Sequence, residues 1–103
     1  MKVVWSELAR DSLLIISDYI LLEFGISAQD HFLDEVEHTA MLLELNPFIG
    51  KQEPLLEGLR GDFRSLVVSK LSKIVYSIQG NSVYIVDFWD TRIDPTALVE
   101  RIF

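Results

Sequence analysis

The side chains best suited to handle an anion lie in the second half of the chain. Arg60, Arg64, Lys70 and Lys73 cluster there with only Asp62 among them to oppose their charge, and Arg92 follows. In-line cleavage of RNA needs cations to stabilise a phosphorane, a base for the 2′-hydroxyl proton and an acid for the leaving oxygen. Arg64, Lys70, Lys73 and Arg92 are candidates for the cationic role. The acid and base are harder to find, because no His follows position 38 and no Tyr follows position 84. The same four side chains can also be solvated strand and turn charges, or partners for Asp87 and Asp90.

Other chemistry is thinly supported. His31 and His38 lie seven apart, with Glu35 four residues after the first and Asp34 four before the second. That spacing puts each pair on one side of a helix, where a solvated acidic face is the plainer reading than a metal site, and no metal is expected. Cysteine is absent, which removes thiolate ligands, disulfides and a cysteine nucleophile. Gly58 and Gly61 are not followed by the residues of a phosphate-cradling loop, and no serine sits in a nucleophile elbow. No cofactor is implied. Trp5 and Trp89 suit core or rim packing better than base stacking.

The elements that must carry these residues fit one domain spanning 1–103. Half of the 103 residues are hydrophobic and 24% are charged, ample material for a core. The net charge of −7 argues against a general nucleic-acid binder. It is unevenly placed: residues 1–50 hold two basic and nine acidic groups, whereas residues 51–103 hold seven of each. No run is apolar enough for a membrane span or a signal peptide, and the lack of cysteine fits a reducing compartment, so a cytoplasmic location is expected.

Lys2 to Trp5 is a short β-forming run, and Ser6 offers a hydroxyl to cap a helix from Glu7 to Phe24, stopped by Gly25. Helical spacing gathers Leu8, Ile15, Tyr19 and Leu22 on one stripe and Ala9, Leu13, Ile16, Ile20 and Phe24 on the next. Glu7, Arg10, Asp11, Ser17 and Asp18 fill the opposite arc, yet Leu14 and Leu21 fall inside it. Ser27 to Asp30 reads as a capping box with Asp in place of Glu, opening a second helix that Asn46-Pro47 ends. Residues 46–62, with Pro47, Gly50, Pro54, Gly58 and Gly61, read as a long irregular connection. Phe63–Ser69, Lys73–Gln79 and Ser82–Trp89 read as antiparallel strands, with Arg64 and Val68 on one face of the first and Phe63, Ser65 and Val67 on the other. Asp94-Pro95 would open a short terminal helix. The order is β-α-α-β-β-β-α, an α+β domain.

Taken together, several of these residues resemble the RelE/ParE toxin superfamily of type II toxin–antitoxin modules, and the ParE side more nearly. The resemblance is carried by Trp5 with Ala9, Tyr19-Ile20 and Gly25, Phe32, Asn46-Pro47 with Gly50, Arg64 with Val67-Val68, Lys73 to Tyr76, and Tyr84 to Val86 leading to Trp89-Asp90-Thr91-Arg92. It implies an N-terminal helical hairpin packed on an antiparallel sheet and a cytoplasmic growth inhibitor held inactive by a cognate antitoxin. RelE-like members cleave messenger RNA on the ribosome, commonly with a Tyr or His near the C-terminus. ParE-like members act on DNA gyrase, and commonly show a His followed closely by Arg after the last strand; here Trp89 or Asp90 stands in the place of that His, and Arg92 matches the Arg. On the ParE reading Arg60, Arg64 and Arg92 meet the target, and the antitoxin, or failing that a second copy of the chain, covers Leu14 and Leu21; the plainer alternative is that the terminal helix covers one of these two leucines. A ribosome-dependent nuclease and a toxin-derived protein that has lost toxicity are the alternatives.

Overall fold

In a computed structural model of the chain, residues 1–56, 61–69 and 72–90 are described below. Strand β1 (Lys2–Trp5) leads into helix α1 (Glu7–Phe24), and α2 (Ile26–Leu45) follows after Gly25 alone. Strand β2 (Lys51–Gln52), a single 3-10 turn (Pro54–Leu56), and strands β3 (Phe63–Ser69), β4 (Ser72–Gln79) and β5 (Ser82–Asp90) complete the described elements. The helix expected after Asp94-Pro95 lies outside the described residues.

The β-forming runs pair into one sheet in the order β1-β5-β4-β3-β2. The three expected strands form its antiparallel centre, and two further members make it mixed and five-stranded. Strand β1 pairs with β5 in parallel, and the two residues of β2 pair antiparallel with Arg64 and Ser65 inside the segment expected to be irregular. Alternation in β3 runs as the side-chain period requires: Leu66 and Val68 pack toward the helices and Phe63 packs on the other face.

Ser6 joins the first two elements to the last. Its hydroxyl accepts from Ala9 N–H at 3.0 Å, capping α1, and donates to the Val86 carbonyl at 3.0 Å. Val86 is the extra residue of a bulge, since Val75 opposes Asp87 while Tyr76 opposes Ile85. The Ser6 hydroxyl thus satisfies a carbonyl at the place where the ladder is disrupted.

Gly25 is both the end of α1 and the start of α2, at a φ of 93° that disfavours side chains. Helix α2 therefore begins before the expected capping box, and no side chain caps it. Gln29, expected inside that box, instead reaches across the hairpin to the Ser17 hydroxyl at 3.0 Å. Ser17 was placed on the solvent arc by helical spacing; it is buried, as is Ser12. Small side chains at Ala9, Ser12 and Ser17 let α1 approach its neighbours closely, and this sets which arc faces inward.

The main core lies between the hairpin and the sheet, with Phe32 edge-on to Phe88 at 5.7 Å. A smaller cluster on the opposite face joins Leu56 to Val75 and Trp89, flanked by Phe63 and Val86. Trp89 is a core residue of that second cluster, and Trp5 packs against the first.

Candidate functional site

Arg64 projects from β3 beside Tyr76, its cross-strand partner on β4, beneath the loop that leaves α2. Its Nη1 donates to the Gly50 carbonyl at 3.0 Å, and its Nε donates to Asp62 Oδ2 at 3.2 Å. The guanidinium also lies 5.2 Å from the centre of the exposed Phe48 ring, a cation–π distance. The Tyr76 hydroxyl completes the arrangement by donating to the Pro47 carbonyl at 2.7 Å and accepting from Gly50 N–H at 2.9 Å. Burial pushes the Tyr76 phenol up, against the opposing influence of the Gly50 N–H and the Arg64 charge.

Gly50 is required by closeness rather than by an unusual φ. A Cβ there would stand 2.6 Å from both the Tyr76 hydroxyl and the Ser65 carbonyl oxygen. The run Asn46-Pro47…Gly50 ends a helix, folds back through the Asn46 side chain to Phe48 N–H at 3.3 Å, and lays its backbone on Tyr76. Asn46-Pro47 with a glycine after it was visible in the sequence; that Tyr76 and Arg64 would clamp it was not.

Lys73 lies elsewhere, against the face of the sheet remote from the helices. Its ammonium is 2.7 Å from Glu53 Oε2, with side chains only 16% and 1% exposed. Burial alone would push the Glu53 carboxyl up. The Lys73 ammonium, the Ser65 hydroxyl and the Leu55 N–H outweigh it and hold the carboxyl below its ordinary value. Glu53 was missed in the sequence, where one carboxylate in a loop carries no signal. The pair ties the 3-10 turn down over Trp89 and Val75.

Of the sequence candidates, then, Arg64 and Lys73 are engaged with protein groups on opposite faces of the sheet. Arg60, Lys70 and Arg92 lie outside the described residues. Leu14 is 60% and Leu21 38% exposed, and they share an arc of α1. Ile15 and Leu22, gathered by spacing on one stripe with Leu8 and Tyr19, are 70% and 83% exposed, so that stripe is largely open. Beside it lies a cavity of about 250 Å³ walled by Ile16, Tyr19, Ile20, Phe24 and Phe32, with His31, Glu35, Ser69, Ser72 and Asp90 as its polar lining. His31 pairs with Glu35 at 3.0 Å on the exposed side of α2, and no group of three metal-ligating side chains occurs among the described residues. No described helix is long and apolar enough to cross a membrane.

These features define a small α+β domain in which a helical hairpin covers one face of a mixed sheet and leaves apolar side chains exposed on its own outer side. The profile of one family, the ParE toxin of type II toxin-antitoxin system, parDE, matches residues 3–95, and the chain belongs to that family. Its fold is similar to that of a chain of the chromosomal ParDE TA system from P. aeruginosa, at a TM-score of 0.71 and 16% identity, covering 87% of this chain and 95% of that one. It is also similar to the YoeB/ParE toxin from Agrobacterium tumefaciens, at a TM-score of 0.59 and 18% identity, covering 87% and 98%. No curated protein sequence matches the chain.

Proposed function

We propose that the protein is the toxin of a type II toxin–antitoxin module, neutralised by a cognate antitoxin, and that it arrests growth by binding DNA gyrase rather than by cleaving RNA. Membership of the ParE family supports the module. The observation that carries the choice of mode is the neutralisation of Lys73, one of the two described candidate cations. Arg64 is held by Asp62 and Gly50, and Lys73 by a buried carboxylate. An ammonium already neutralised at 2.7 Å is poorly placed to gain further from a transition-state phosphate.

On this reading Arg60, Arg64 and Arg92 meet acidic or polar groups of the target, Arg64 from a position already set by the loop it clamps. The antitoxin covers Leu14 and Leu21. Inducing the chain alone in cells should arrest growth, and co-expression of its antitoxin should relieve the arrest. Purified protein should inhibit gyrase supercoiling, and primer extension on cellular mRNA should show no new ends. New mRNA ends without an effect on gyrase would establish the RelE-like alternative, and absence of arrest would establish a protein that has lost toxicity.

A further inference from the structure

The outer face of α1 is patterned in charge as well as in apolarity. Successive residues turn by about 100°, so Glu7, Asp11 and Asp18 form a narrow acidic rib on the solvent side. Leu14 and Leu21 lie along one flank of that rib, and Ile15 and Leu22 along the other; all seven side chains belong to exposed residues. Arg10, beside Leu21, is the one Lys or Arg of the whole hairpin, whose residues 7–45 hold nine acidic groups. Past Ile15 and Leu22 the face reaches Tyr19, which also walls the cavity whose polar lining includes the carboxylates of Glu35 and Asp90.

Two apolar rows astride an acidic rib specify their complement. A second copy of this chain would bring an equally acidic hairpin against the first, and like charges juxtaposed at an interface oppose association. A nucleic acid or an anionic lipid surface is opposed for the same reason. We infer that this face receives a cationic amphipathic segment of a protein partner, its apolar side chains seated on Leu14, Leu21, Ile15 and Leu22 and its Lys or Arg side chains paired with Glu7, Asp11 and Asp18. The inference rests on the toxin–antitoxin reading only in naming the antitoxin as the protein that carries the segment.

The test uses synthetic peptides and needs no antitoxin. Three 20-residue peptides are titrated into the purified chain: one amphipathic with Leu on one side and Lys on the other, one with Glu replacing Lys, and one with the Lys peptide's composition scrambled. The amphipathic Lys peptide should bind at least tenfold more tightly than either of the others and should weaken about tenfold between low and physiological salt. Leu22→Ser, or Ile15→Ser as a second variant, should weaken it at every salt concentration with the circular dichroism and thermal midpoint unchanged. The double variant Asp11→Lys, Asp18→Lys should reject the Lys peptide and accept the Glu peptide. Equal binding of the scrambled or Glu peptide, or indifference to the charge reversal, would overturn the inference. So would a dimer in sedimentation that Leu22→Ser dissociates and that excludes the peptide. Growth arrest plays no part in these readouts, so a failure of the toxin reading would appear separately.

Discussion

Lys73 and Glu53 show how a single buried pair can hold down a piece of chain that has little core of its own. Removing one partner of a buried ion pair leaves the other charge uncompensated, typically at a cost of about 3–5 kcal/mol. Glu53→Gln should therefore lower the urea midpoint strongly at pH 7. The carboxyl sits below its ordinary value of 4.5, so its contribution is present above that pH and fades as the pH falls through the lower folded-state value. The acid limb of the stability profile should accordingly be shallower in Glu53→Gln than in the parent, as urea titrations from pH 7 to pH 3 would read; an unchanged limb would show that Glu53 does not titrate with folding. Tyr76 is the counterpart on the helix side. Tyr76→Phe strands the Gly50 N–H and the Pro47 carbonyl, and an unmet buried polar group costs about 1–3 kcal/mol, so the thermal midpoint should drop by several degrees. Arg64→Ala should produce a loss of similar size through the Gly50 carbonyl and Asp62. If Arg64 also meets the target, growth arrest should vanish at a temperature where the variant is still folded; arrest lost only together with folding would assign it to the loop alone.

Among the elements, α1 carries the sharpest division of labour. Its inner arc, with Ala9, Ser12 and Ser17, is buried, and its outer arc exposes leucines and isoleucine that folding does not need. Leu14→Ser combined with Leu21→Ser should weaken antitoxin binding while leaving the thermal midpoint little changed, because Leu14 keeps most of its surface in water in the folded chain and Leu21 more than a third. A large fall in the midpoint would reassign both to the core. The turn between the helices behaves differently. At Gly25 the φ of 93° lies where a Cβ is strained, so Gly25→Ala should cost roughly 1 kcal/mol even though no neighbouring atom stands within 4 Å of the added methyl.

For the whole molecule, the sheet order places β4 at the centre between β5 and β3, and both β1 and β2 at the edges. Ile74, Val75 and Tyr76 of β4 are fully buried, with cores on both faces. Hydrogen exchange should therefore find the most protected amides in β4 and β5, near the global unfolding free energy, with β2 opening first. Early exchange across β4 would contradict a sheet organised around it.

The sequence alone determined the parts whose signals are local. Ser6 before a long uninterrupted run, Gly25, and Asn46-Pro47 placed the two helices within a residue or two, and β-branched runs broken at Gly80-Asn81 placed β3, β4 and β5. Their joint spacing carried the family resemblance. Tertiary structure decided what depends on separation along the chain. Lys2–Trp5 could be read as a strand, but its parallel pairing with Ser82–Ile85 is a contact across the length of the molecule. Helical spacing gave α1 several adjoining apolar stripes, and only packing against the sheet chose the arc containing Ala9 over the one containing Ile15 and Leu22. The same holds for the cations. A lysine or arginine on a strand has identical local signals whether it faces solvent, a ligand or a partner, and its role is set by what folds against it: for Lys73 a glutamate twenty residues earlier, for Arg64 the backbone of Gly50. Electrostatic and hydrogen-bond partners act through space, with no period along the chain from which to read them.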